Sequence, residues 1–138
     1  MTTQAQEITL ARTILVPPSR LYAAFTSAEG WCAWCCEKAE SDACLGGKLH
    51  IYTEGYNAYG EFTELEQDRV IAFTWNGDGE PPMLVRILLN RQDSGTDLSF
   101  KVTVFGSDDW LAFSAFLERT WGRALNNLKA VLEVKLET

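Results

Sequence analysis

The last thirty residues set the tightest limit on what this chain can fold into. Trp110, Phe113, Leu117, Trp121, Ala124, Leu128, Val131 and Lys135 step by three or four between about Ser107 and Leu136. That spacing predicts one face of a long amphipathic helix. Ser107, followed by Asp108 and Asp109, suits its positive N-terminal end. Such a helix cannot bury its stripe alone, so it must lie against another layer.

The middle of the chain supplies that layer. From Glu37 to Phe105 the pattern is strands. "GGKLHIYTEG" alternates and ends at Gly55. "NAYGEFTELE" sets Tyr59, Glu61 and Thr63 against Gly60, Phe62 and Glu64. "RVIAFTW" and "MLVRILLN" follow, divided by the turn "NGDGEPP". "TDLSFKVTVF", after the turn "RQDSG", puts Leu98, Phe100, Val102 and Val104 on one side. Adjacent strands joined by short turns predict an antiparallel meander.

The first residues add an edge and a corner. "EITLARTILV" reads as a strand over 7–16, with Ile8, Leu10, Ile14 and Val16 on one face and Arg12 interrupting it. Pro17-Pro18 ends it and opens a short helix that faces Leu21, Ala24 and Phe25 inward. Thr26 and Ser27 are caps for a second short helix carrying Trp31 and Trp34. The fold class is therefore α+β: a curved antiparallel sheet around a long C-terminal helix. At 138 residues, 46% of them hydrophobic, the chain has apolar material for one domain over residues 1–138.

The ordered motifs resemble a known family. "ARTILVPPSRLYAAFTS", "GWCAW", "LGGKLHIY", "YGEFTELEQDRVIAFTW", "SGTDLSFKVTVF" and "TWGRALNNLKAVLE" occur in the order and at the spacing of the START-like (SRPBCC, birch-pollen-allergen) superfamily. Within it they are most similar to the Aha-type family, named for activators of a heat-shock chaperone ATPase. The resemblance implies the helix-grip fold, in which a hollow often separates sheet and helix. It implies less about function. The family mixes chaperone activators, proteins of unassigned role and binders of apolar small molecules, and no catalytic motif carries over to this chain.

Charge narrows the partners. A net charge of −7 and a pI near 4.7 repel nucleic-acid backbones and anionic membrane surfaces. "MTTQAQEITLART" has neither a basic segment nor an apolar one of the kind a secretory leader needs. Cytoplasmic localisation is the expectation, with reduced thiols.

All four cysteines, Cys32, Cys35, Cys36 and Cys44, fall within "GWCAWCCEKAESDACLGG". Zinc sites want paired C-x2-C knuckles, and only one is present here. Packing near the mouth of the sheet is the preferred reading, with an oxidative Cys35–Cys44 or Cys32–Cys44 bridge as the alternative. No metal and no cofactor is assigned. His50, the one histidine, lies in a strand with no activated serine marked nearby. Glu54 and Glu61 are read as outer-face residues. Arg86, between Val85 and Ile87, fits either face.

Eighteen residues' worth of cysteine-rich sequence thus leaves the aromatics to carry the functional reading. An apolar or aromatic small molecule is expected between sheet and long helix. Trp34, Phe73, Trp75, Phe113, Leu117 and Trp121 would form its walls, and Tyr59, Arg86 and His50 its polar end. The alternatives are a protein-binding module stimulating a chaperone ATPase and a hydrolase or cyclase using cavity polar groups, with the reading leaning away from catalysis. The protein is expected as a monomer or homodimer.

Overall fold

The structure, a computed structural model, describes residues 5–106 and 109–134. Seven strands form one sheet: β1 (Ala5–Ile14), β2 (Lys38–Ser41), β3 (Lys48–Thr53), β4 (Tyr56–Glu66), β5 (Val70–Gly77), β6 (Met83–Gln92) and β7 (Gly95–Phe105). Helices α1 (Pro18–Thr26) and α2 (Ala28–Trp34) follow β1, and α3 (Trp110–Val134) ends the described chain. The sheet order is β1-β7-β6-β5-β4-β3-β2, and every neighbouring pair is antiparallel. The α+β helix-grip expectation agrees with this architecture. Ser107, Asp108 and Lys135 lie outside the described residues.

Short turns set the registers. Glu54 and Gly55 both have positive φ, 47° and 81°. That is the two-residue hairpin geometry whose twist matches the flanking strands, and it pairs Thr53 with Tyr56. With register fixed, alternation sends one side of each strand inward. Leu49 and Ile51, Phe62, Phe73 and Trp75, Val85 and Ile87, and Phe100 and Val102 are all buried there. Strand β2 falls within the strand region read from Glu37 onward but is not delimited by its own pattern, because "KAES" carries no apolar run and is recruited by pairing with β3.

The two short helices fill the space that a hollow would need. Leu21, Ala24 and Phe25 are buried, and the Ser27 hydroxyl caps α2 by accepting from Gly30 N at 2.9 Å. Trp31 and Trp34 stack 5.4 Å apart. Trp31 meets Phe73 edge-on at 5.7 Å, and Phe25 contacts Trp34 at 5.2 Å. Both indoles satisfy their N–H: Trp31 Nε1 donates to Phe25 O at 2.9 Å and Trp34 Nε1 to Ala24 O at 3.1 Å. This aromatic block is solid core.

Helix α3 lies over the block. Trp121 reaches down to Phe100 (4.9 Å) and Trp75 (5.1 Å), while Leu117, Leu125, Leu128 and Leu132 are buried alongside. Polar side chains fasten its second half. Arg12, the interruption in β1, donates to Gly122 O and Asn126 Oδ1. Asn127 Nδ2 donates to Trp34 O at 2.6 Å, and Lys129 Nζ to Thr13 O at 2.7 Å. Glu133 accepts from Leu15 N at 2.8 Å and from Lys129 Nζ at 2.7 Å. The bond from Lys129, then that from Leu15, holds the Glu133 carboxyl below its ordinary range. A depressed carboxyl stabilises the fold above the unfolded-state value, and the contribution is lost as pH falls through the folded one. Glu133→Gln should therefore cost about 0.5–1 kcal/mol at pH 7, with the gap to the native protein closing below about pH 4. Urea unfolding across pH measures it.

Candidate functional site

Where the aromatic block ends, a pocket of about 230 Å³ opens between the sheet and the first half of α3. Its lining is Tyr56, Trp75, Glu80, Phe116, Leu117, Thr120, Trp121 and Ala124. Strand β5 brings Trp75 to the floor. Leu117, Trp121 and Ala124 come from α3 at the three- and four-residue spacing that puts them on one face. Thr120 commits its hydroxyl to Phe116 O at 2.9 Å, so it contributes no free donor to the pocket.

The polar end is a three-residue chain. Trp75 Nε1 donates to Tyr56 Oη at 3.0 Å, and Tyr56 Oη donates to Glu80 Oε1 at 2.6 Å. Burial, reinforced by the bond to Glu80, pushes the Tyr56 hydroxyl well above its ordinary value. Burial also raises the Glu80 carboxyl, against the lowering effect of the Tyr56 bond, and Asp78 adds to the rise. Gly77 makes room for this arrangement. A Cβ there would fall 2.0 Å from Tyr56 Oη and 2.1 Å from Glu80 Oε1, inside van der Waals contact.

The sequence-derived site divides four ways. Trp75, Leu117 and Trp121 line the pocket. Trp34 and Phe73 are buried in the aromatic block instead. Phe113 is half-buried and stacks on Phe116 at 5.9 Å. Tyr59 and Arg86 do not belong to the pocket. Tyr59 is 53% exposed on the outer face, stacked on His50 at 4.4 Å. His50 is there too, bonded through Nε2 to Asn57 Oδ1 at 2.8 Å. Arg86 forms a two-pronged pair with Glu64, at 2.9 and 3.2 Å, above outer-face Ala72. Glu61 is also outside, paired with Lys48, and Glu54 forms a turn.

Sequence reasoning missed Tyr56, Glu80, Phe116, Thr120 and Ala124 as lining residues. A signal existed for two of them: Ala124 sits on the helical stripe with Leu117 and Trp121, and Tyr56 has a strand signal. Phe62 and Ala58 point inward, and Tyr56 shares their even phase along β4, while Tyr59 does not.

The cysteines lie apart from this pocket. Cys35 and Cys36 are half-buried against the core, whereas Cys32 and Cys44 are exposed, contrary to uniform packing. The close thiols are Cys32 and Cys36, with Sγ atoms 3.8 Å apart, rather than either pairing with Cys44. Among the described residues no three Cys, His, Asp or Glu side chains form a metal cage. Burial, with Cys32 adding, pushes the Cys35 thiol up to about 12. Burial and the Cys32 contact do the same for Cys36, also to about 12. Thiolate is the reactive form. Iodoacetamide should therefore modify Cys35 and Cys36 at least about tenfold more slowly than free cysteine at pH 8, read by peptide mass spectrometry over time. A wider groove of about 530 Å³, lined by Cys32, Lys38, Ala39, Glu40, His50 and Tyr52, follows the edge strand β2. It lacks the facing aromatic walls of the α3 pocket.

A curved seven-stranded sheet closed by a long C-terminal helix, with a pocket between them, defines a START-like helix-grip protein. The chain belongs to the family described as "Activator of Hsp90 ATPase homolog 1-like protein", whose sequence model matches residues 15–133. It is 41% identical over 69 residues to the mouse (Mus musculus) "Activator of 90 kDa heat shock protein ATPase homolog 1". That match covers 50% of this chain and spans only 20% of the mouse protein. In structure it is similar to the Aha1 dimer from Colwellia psychrerythraea, with a TM-score of 0.83 and 19% identity over 94% of this chain and 97% of that one. It is also similar to protein MLL2253 from Mesorhizobium loti, with a TM-score of 0.82 and 22% identity over 93% and 97% of the two chains. Likenesses at these identities establish the fold. No helix among the described residues is long and apolar enough to cross a membrane.

Proposed function

We propose that this chain binds a small apolar or aromatic molecule, without covalent chemistry, in the pocket between β5 and α3. The observation that carries the reading is the pocket's position. The interior is packed solid around Trp31 and Phe73, yet beyond the Trp75–Trp121 contact a cleft opens between the sheet and the first half of α3. Apolar walls on both sides with one polar end are what small-molecule sites have. The volume suits a fragment rather than a drug-sized ligand. A ligand of about ten non-hydrogen atoms, at about −0.5 kcal/mol per atom, would bind with Kd on the order of 0.2 mM. Free thiols on the surface suit a cytoplasmic setting. Calorimetric titration with 2-phenylethanol tests the reading. Saturable one-to-one binding at sub-millimolar to millimolar concentration is expected, and no heat of binding up to the solubility limit from either 2-phenylethanol or 2-phenylethylamine would remove it.

The sequence match favours a second reading, stimulation of a chaperone ATPase. The aligned half-chain is similar to a protein named for that activity, and the first half of α3 leaves Leu111 and Phe116 exposed, apolar side chains of the kind a partner covers. Under this reading the chain raises the ATPase rate of a 90 kDa heat-shock protein, and Leu111→Asp weakens the effect. A coupled ATPase assay decides it. Formation of a homodimer, as for the Colwellia protein, belongs to the same proposal and is read by light scattering.

A further inference from the structure

We infer that the pocket's polar end selects a positively charged, hydrogen-bond-donating head, so that its ligand class is small aromatic amines. The inference rests on the small-molecule reading above and specifies the ligand. Among the described residues, Glu80 is the only charged one in the lining. Its Oε1 accepts the Tyr56 proton at 2.6 Å, while the Tyr56 oxygen already accepts from Trp75 Nε1 at 3.0 Å. The phenol's proton is therefore committed, and among the described residues nothing bonds the second Glu80 oxygen, which leaves it as the acceptor for a ligand head. An ammonium donates to that oxygen in a charge-assisted bond. A carboxylate head meets like charge with no donor to offset it.

Three further features point the same way. Trp75 and Trp121 both border the pocket, and indole rings attract cations. Asp78 is close enough to Glu80 to raise its carboxyl, so a second negative charge backs the first. Burial makes the charged form of Glu80 costly, and a cation in the pocket offsets that cost. Gly77 keeps the Tyr56–Glu80 pair in place, since any β-carbon there would displace it.

The test compares three probes of nearly equal size: 2-phenylethylamine, 2-phenylethanol and phenylacetate, titrated calorimetrically at pH 7.5. The amine should bind at least about tenfold more tightly than the alcohol, and phenylacetate more weakly than the alcohol. Glu80→Gln should bring the amine-to-alcohol ratio to about one, and Gly77→Ala should reduce it, each variant being checked for native near-ultraviolet dichroism. If the alcohol binds and the amine is no tighter, the inference is overturned while the pocket reading stands. A ratio that survives Glu80→Gln overturns it equally. If none of the three binds, the pocket reading itself fails.

Discussion

Trp31→Ala should lower the unfolding free energy by about 3–5 kcal/mol. Trp31 has no exposed surface and touches four aromatic rings: Phe25 at 5.5 Å, Trp34 at 5.4 Å, Phe73 at 5.7 Å and Trp75 at 6.1 Å. Truncation leaves a cavity lined by rigid rings anchored on three different elements, which cannot collapse easily to fill it. It also removes the donor to Phe25 O, leaving a buried carbonyl unpaired. Trp31→Phe should cost less, because part of the volume remains. Urea unfolding by circular dichroism measures both. A loss below about 1 kcal/mol for the alanine variant would mean that α2 does not hold the core as described.

Ala124→Trp should abolish ligand binding while leaving the fold intact. Ala124 is half-buried on the helix wall of the pocket. An indole there can occupy open volume of about 230 Å³ instead of forcing itself into packed core, so the usual overpacking cost does not apply. The affinity for 2-phenylethanol should fall at least about 30-fold, about 2 kcal/mol, with a melting temperature equal to or above that of the native protein. Retained affinity would place the ligand elsewhere, for example in the β2 groove beside His50 and Tyr52.

The sheet and both short helices were legible because their signals are local. Period-2 alternation marks β3 to β7, Pro17-Pro18 marks the α1 start, and Ser27 marks the α2 cap. The long helix was legible through its stripe, and two of its deeply buried residues, Leu125 and Leu132, follow from the same spacing read a little wider. The face of a strand residue was harder to assign. Arg86 has apolar neighbours on both sides in sequence. Its outward direction emerges from the cross-strand row Glu64–Ala72–Arg86–Lys101, which only the register creates. Tyr59 and His50 behave likewise, paired across β3 and β4 with Glu40 beyond. Glu80 was invisible. It sits in a turn of polar and turn-forming residues, and it acquires a role only when the hairpin brings Tyr56, 24 residues away, to 2.6 Å. The volume left between the layers was also beyond sequence reasoning, because it depends on how far Trp31 and Trp34 fill the interior.

Intermolecular nuclear Overhauser effects with bound 2-phenylethanol test the central claim most directly. Cross-peaks from the ligand ring to the indole protons of Trp75 and Trp121 and to the methyl groups of Leu117 are the predicted result. Cross-peaks to Tyr52 or His50 in place of these would contradict it.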